Sequence, residues 1–454
     1  MHEIRRIAAG ETRRANSTIR LASSEHGVSN DQLRHQLPNP IMLDAMICGV
    51  KVFRTLRCRY VAIPLTLGAL MAGLAGCATL ERLPAVPYAQ AKQASILDIP
   101  DARFYVSDTR RILEIAQKAY QRRNQTTRSP VRTFLAISGG GDDGAFGAGL
   151  LIGWSDRGDR PEFDVVTGVS TGSLSAPFAF LGRKYDAQLK DVYTETSASN
   201  VFEKRAPVLA AIASDAMTDS APLRQMIASH VDSTMVQRIA EEYAKGRLLF
   251  ILTTNLDQAR PVIWNIGAIA SSSNPKARDL IIDVLLASAS IPAVFPPVML
   301  DVTVDGERHQ EMHVDGGTVA QAFLYPPSVS LRLASARIGV DEKTLRTSRR
   351  RIAYIIRNGR FSRAEESVKL QTIAIAKEAL STMIASSGVN DTYRMYLIAR
   401  RDGVDFNLAS IGDDFTDPYK GPFNPAYMQS LFDYGYAKGR AGYRWQKAPP
   451  GYAN

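Results

Sequence analysis

The sequence predicts an α/β domain, and three observations carry that expectation. Two short apolar runs, Thr133 to Ser138 and Phe163 to Val169, each lead into a glycine-rich turn and then into an apolar, helix-like stretch. A third strand-like run, Leu248-Leu-Phe-Ile-Leu-Thr-Thr-Asn255, follows a helix-rich region between Leu189 and Ala244. Strand, turn and helix recurring in this order are the units of a sheet with crossover helices. The chain is long enough for one large domain of this class with appendages.

The front of the chain reads differently. Residues 1–45 are polar and arginine-rich without sustained periodicity, fit no signal-peptide pattern and are set aside from fold reasoning as a dispensable extension. A start at Met42 or Met46 gives a signal peptide of ordinary length over 46–76. Lys51, Arg54, Arg57 and Arg59 precede an apolar run, Tyr60 to Gly73, too short and too broken by Gly and Pro for a comfortable membrane span. It ends in Leu74-Ala-Gly-Cys77, which is similar to a bacterial lipobox. Cleavage before Cys77 leaves a thiol to carry a diacylglyceryl group and an amine for a third chain, and several chains anchor stably where one is marginal. Ala78 after the cysteine resembles lipoproteins sent to the outer membrane, on its periplasmic or surface face. An uncleaved signal anchor is the alternative. Cys48 and Cys58 fall in the leader, so a mature chain would keep Cys77 alone, with no disulfide and no cysteine metal site.

Residues 77–128 are expected to form a lipidated tether, Pro/Ala-rich to about residue 104, and a leading helix. From Asp108 to Arg123 the spacing of Ile112, Ile115, Ala116 and Ala119 is helical, with charges on the other side. A core follows over 129–360. Its first turn, Gly139-Gly140-Gly141-Asp142-Asp143-Gly144, joins a strand to an apolar helix, which aims backbone N–H groups and a positive helix end at one point. A dinucleotide fingerprint would want an acidic residue about twenty positions on, at the end of the next strand. Asp164 stands at the start of that strand, which favours an oxyanion hole. The second turn, Gly168-Val-Ser170-Thr-Gly172, has the form of a nucleophile elbow, where a serine sits on a strained strand-to-helix turn between glycines that admit close backbone approach. The third motif is His313-Val-Asp315-Gly316-Gly317, an aspartate with little crowding around it or, read alone, a common β-turn. Arg351 to Ile356 reads as a strand. Over 361–454 the expectation is a helix near 364–386, a strand pair across Arg401-Asp-Gly (393–400 and 404–411), and a final helix over 424–440.

These motifs, in this order, resemble the patatin-like phospholipase family: the glycine loop, the Gly-Val-Ser-Thr-Gly elbow and the Asp-Gly-Gly. Ala287-Ser-Ala-Ser-Ile-Pro-Ala-Val-Phe-Pro-Pro297, before the aspartate, is similar too, as is Leu248 to Asp257 with Arg260-Pro-Val-Ile-Trp264. The resemblance is firm over about 130–325 and loose beyond. It implies a three-layer α/β/α fold with a central, mostly parallel sheet, and hydrolysis of lipid acyl esters by a Ser–Asp dyad without histidine. Ser170 is then the nucleophile, Asp315 its base, and the loop of Gly139, Gly140, Gly141, Asp142 and Gly144 the oxyanion hole. One departure is Asp143, where the family loop usually carries Arg or Lys. Two carboxylates aimed into the hole would oppose the developing charge. Capping the helix that starts near Gly144 is the expected role for one of them.

A serine hydroxyl needs a hydrogen-bonded base, and an aspartate must be buried to become basic enough at neutral pH. Two other readings stay open. A Ser-His-Asp esterase would draw on His313, with Asp283 or Asp257 as acid. However, His313 lies two residues before Asp315, on the same side of a strand. His230 reads as a surface or packing residue, and His309, in a charged turn, as solvent-exposed. The other reading is a non-catalytic lipid-binding lipoprotein on a hydrolase scaffold. No cofactor or metal is expected. The net charge of +10 excludes little, because residues 1–76 hold ten Lys/Arg against five Asp/Glu and so half of it. The remainder slightly favours an anionic lipid surface. No basic stripe or motif points to nucleic acid.

Overall fold

A nine-stranded sheet organises the computed structural model, which describes residues 82–127, 129, 131–195, 203–204, 218–331, 350–362 and 367–452. The expected leader and Cys77 lie outside the described residues. The strands are β1 (Arg103–Tyr105), β2 (Val131–Ile137), β3 (Val165–Val169), β4 (Leu248–Asn255), β5 (Arg260–Asn265), β6 (Val298–Val304), β7 (Glu307–Asp315), β8 (Arg350–Arg357) and β9 (Asp405–Ser410). Their order is β1-β5-β4-β3-β2-β8-β9, with the β6–β7 hairpin joined to β4 through β7. From β4 to β9 every neighbour is parallel, whereas β1, β5 and the hairpin run antiparallel. The central strands are continuous apolar runs because helices cover both faces of a parallel sheet.

The helices are α1 (Thr109–Thr126), α2 (Gly144–Arg157), α3 (Thr171–Leu181), α4 (Asp186–Thr194), α5 (Ala221–His230), α6 (Ser233–Ala244), α7 (Ile266–Ala270), α8 (Ala277–Ala289), α9 (Thr372–Asp402) and α10 (Pro425–Ala441). The core divides accordingly. One cluster packs Phe146, Leu150, Phe180, Ile281 and Phe432 of α2, α3, α8 and α10 against Leu135, Ile137 and Ile251. The other packs Ile112, Ile115, Met395 and Ala399 of α1 and α9 against Ala136, Val169 and Ile355. This is the expected three-layer α/β/α arrangement. α10 lies so close on α2 that a Cβ at Gly149 or Gly153, or at Gly435 or Gly439, would overlap the facing backbone.

Two expectations are corrected. From residue 82 the chain is no loose tether: Val86, Ala91, Ile96, Ile99 and Ala102 are buried in the first cluster, and β1 pairs with β5. The apolar content of this stretch lacks period, because irregular chain packed on a domain needs none. Nor do residues 393–411 form a strand pair. Tyr393 to Arg400 belongs to α9, with Thr392, Met395, Tyr396 and Ala399 buried at helical spacing, which overrides the β-propensity of its aromatics. Gly403, left-handed at φ 65°, ends the helix. β9 then pairs in parallel with β8 as part of the main sheet.

Candidate active site

The backbone of Ser170 is held at φ 53° and ψ −128°, a conformation costly for any residue with a side chain. The turn closes because Gly168 and Gly172 lack Cβ atoms: one on Gly168 would sit 2.5 Å from the Gly172 carbonyl, and one on Gly172 would overlap the carbonyls of Ile137 and Ser138. The Ser170 N–H donates to Ser288 Oγ at 3.1 Å, and Ser288 donates in turn to the Leu252 carbonyl at 2.7 Å. Ser288 thus ties α8 to the elbow, which gives a structural role to the Ala287–Pro297 segment picked out in the sequence.

Asp315 ends β7. Its N–H donates to the Ser290 carbonyl at 2.8 Å, and its own carbonyl accepts Thr254 Oγ1 at 3.0 Å. Ser170 Oγ donates to Asp315 Oδ2 at 2.6 Å, and the Gly317 N–H donates to Oδ1, also at 2.6 Å. Burial pushes the Asp315 carboxyl up to about 7, against the lowering effect of those two hydrogen bonds. A hydroxyl paired with a carboxylate of near-neutral basicity is a competent nucleophile–base couple.

The glycine loop begins where β2 ends, but not all its amides face the site. Gly139 N–H donates to the Gln321 carbonyl at 2.9 Å, and Gly144 N–H bonds back to Gly141 and Asp142. Those two amides are committed, which corrects the wider expectation of a hole spanning Gly139 to Gly144. The Gly140 and Gly141 amides have no backbone acceptor among the described residues. Gly140 can hold its place only without a side chain, since a Cβ would overlap Asn358.

The capping role expected of an acidic loop residue is also corrected. The carboxylates at Asp142 and Asp143 make no cap on α2. Asp142 Oδ2 accepts the Phe423 N–H at 3.0 Å and Asp143 Oδ1 accepts Tyr427 Oη at 2.8 Å, so one side chain pairs with the segment leading into α10 and the other with its first turn. Burial raises both, with Asp143 reaching about 7 where Asp142 adds its repulsion.

His313 is fully buried but makes no hydrogen bond to Ser170 or Asp315. Its Nδ1 meets Thr253 Oγ1 at 2.9 Å and its Nε2 meets Glu311 Oε2 at 3.1 Å. Trp264 Nε1 donates to the same Thr253 oxygen at 2.7 Å, and Arg103 pairs with Glu311. Burial alone would raise Glu311, yet Arg103 and His313 hold it down at about 2, while burial lowers His313. The two acids considered as triad partners are engaged elsewhere, Asp257 with Arg82 at 2.8 Å and Asp283 with Arg224 at 2.9 Å. His230 packs edge-on against Phe178. His309 is buried rather than exposed, because it shares the inward face of β7 with Glu311 and His313.

Residues that sequence reasoning missed complete the site. Asn358 Oδ1 accepts the Gly147 N–H at 3.1 Å and its Nδ2 donates to the Ser138 carbonyl at 2.9 Å, fixing the loop from β8. Gln321 holds Gly139 with its carbonyl and donates from Nε2 to the Gly317 carbonyl at 3.1 Å, while its N–H bonds Asp391 of α9 at 2.6 Å. Except for Gln321 with Gly317, these contacts join residues far apart in sequence, and no local pattern announces them. For Glu311 a signal existed: His309, Glu311 and His313 alternate on a strand that leads to the aspartate.

No curated protein matches the chain significantly. Among solved structures it is similar to VipD from Legionella pneumophila, at 10% identity and a TM-score of 0.33, over 69% of this chain and 67% of that one. It is also similar to the type III effector protein ExoU, at 10% identity and a TM-score of 0.26, over 69% of this chain and 53% of that one, so it spans about half of ExoU's length. The family model described as Patatin-like phospholipase matches residues 135–325, a span that contains the glycine loop, the elbow, the Ser288 segment and the Asp-Gly-Gly. Residues 135–325 of this chain are a patatin-like phospholipase domain.

Proposed function

We propose that the chain hydrolyses carboxylic esters of lipids through a Ser170–Asp315 dyad and an acyl-serine intermediate. As Ser170 Oγ bonds to the ester carbonyl carbon, its proton passes to Asp315 Oδ2. The carbonyl oxygen becomes an oxyanion, received by the Gly140 and Gly141 amides. Collapse breaks the bond to the alcohol, which leaves with the proton from Asp315. Water then attacks the acyl-serine, gives its proton to Asp315, and the fatty acid departs as Ser170 recovers its proton. The observation that carries this reading is the 2.6 Å hydrogen bond between an elbow serine and a buried aspartate. The engagement of both His313 nitrogens by Thr253 and Glu311 favours the dyad over a histidine triad. The turn of Asp142 and Asp143 toward residues 423 and 427 favours a working oxyanion site over an inactive scaffold.

Acylation of Cys77 after cleavage of residues 46–76, with residence at the outer membrane, belongs to the same proposal and rests on the Leu74-Ala-Gly-Cys77 motif. The test is fatty-acid release from phospholipid vesicles and from a short-chain ester by wild type, Ser170→Ala, Asp315→Asn and His313→Ala. Loss in the first two and retention in the third is expected. No release by folded wild type on either substrate overturns the reading.

A further inference from the structure

Helix α9 is built inside out over its first half. From Thr372 to Ser387 no described side chain is buried, and burial begins only at Gly388. Ile375, Ala376, Ala379, Leu380, Thr382 and Met383 are all exposed. At about 3.6 residues per turn they share one arc of about 160°, and no charged residue stands on it. Glu378 lies on the other, half-covered side with Ala374, Ser381, Ile384 and Ala385. An ordinary surface helix does the reverse, turning its apolar stripe to the core and its charges to water. Met383 is 68% exposed and Leu370, just before the helix, 96%. Clustered exposure of this kind marks a surface that meets something apolar.

We propose that this face docks on a lipid surface and so brings the Ser170–Asp315 site to it. The inference rests on the lipid-hydrolase reading above and says how that site reaches its substrate. Two features select a lipid surface over a second copy of the chain. First, the same helix reaches the site: its covered side runs on to the buried Asp391, whose carboxylate accepts the Gln321 N–H, and Gln321 holds Gly139 and Gly317 around the dyad. Second, the polar groups on the arc are limited to hydroxyls, while Lys369 is exposed at its foot, at the level where anionic headgroups would lie. The half-helix, about 24 Å long, suits lying in an interface. Among the described residues no helix is long and apolar enough to cross a membrane.

The experiment uses residues 78–454, which carry neither the apolar run of 60–73 nor an acylated Cys77, with and without the pair Leu370→Glu and Met383→Glu. Both positions are solvent-facing, and equal thermal unfolding checks that the fold is kept. Binding is read with Ser170→Ala added, by co-sedimentation with vesicles of phosphatidylcholine and phosphatidylglycerol. Turnover is read with Ser170 intact, on the same vesicles and on a monodisperse short-chain ester. The glutamate pair should lower vesicle binding and vesicle hydrolysis by about tenfold or more and leave short-chain ester hydrolysis unchanged. Unchanged vesicle binding overturns the proposal, as does a dimer that the pair dissociates while vesicle binding persists. If neither substrate is hydrolysed but the pair still abolishes vesicle binding, the docking face stands and the hydrolase reading falls.

Discussion

Ser170 and Asp315 meet because a single strand sets the position of both. Leu252 of β4 pairs with Val169, the residue before Ser170, and the next residue, Thr253, pairs with Asp315. β3 stops where β7 arrives from the opposite direction, so the two occupy successive lengths along the same side of β4. The dyad is therefore a consequence of sheet register, and a slip of one residue in either pairing would separate it.

Removing either member should abolish turnover without unfolding the protein. Ser170→Ala and Asp315→Asn should each lower kcat by about a thousandfold or more, and the double variant should lose little beyond either single one, because the two act as a unit. Single-turnover acylation measured beside circular dichroism checks both points.

The raised Asp315 carboxyl sets the pH behaviour. Ionised Asp315 accepts the serine proton, so kcat/KM should rise about tenfold per pH unit up to about pH 7 and then level off. Asp143 also reaches about 7, so Asp143→Asn should leave that limb in place if Asp315 owns it. Stability should move the other way. Between the unfolded value and about 7 the native state holds more protons than the unfolded chain, so stability falls as pH rises through that window. Asp315→Asn should remove the Asp315 share of this slope, leaving that of Asp143, and gain up to about 4 kcal/mol at pH 8, read by urea unfolding at pH 5 and 8.

His313 separates a positioning network from a catalytic one. His313→Ala should keep turnover within about tenfold while lowering stability by about 2–4 kcal/mol, because Thr253 and the buried Glu311–Arg103 pair lose a partner. A loss of turnover as deep as that of Ser170→Ala, in folded protein, would restore the triad.

The sequence carried the site in its local motifs and missed what holds them. Gly168, Ser170 and Gly172 were legible because an elbow needs those residue types at fixed spacing, and Asp315 because two glycines follow it. Asn358 and Gln321 were not legible, since a carbonyl or amide that braces a loop from another strand leaves no pattern in one chain. The misread strand pair at 393–411 shows aromatics and β-branched residues losing to tertiary burial at helical spacing. His309 shows the opposite error, a charged turn hiding the inward phase of a strand. Asp142 and Asp143 were expected to supply a helix cap, but their partners, Phe423 and Tyr427, lay in a segment no local rule could name.

Those partners yield a further prediction. Tyr427→Phe leaves Asp143 without its hydroxyl donor and should cost about 1–3 kcal/mol, measured by denaturant unfolding. The Asp143 carboxyl should move further up, and kcat should fall if the loop shifts with it.

The contact between the glycine loop and the start of α10 also orders events in time. Asp143 and Tyr427 stand 284 residues apart in the chain, and α10 seals α2 by backbone-to-backbone contact at four glycines. A chain still emerging from the ribosome can shape its elbow long before this clasp exists. Completion of the oxyanion loop then waits on the synthesis of α10, and the proposed activity would stay silent until that helix has docked.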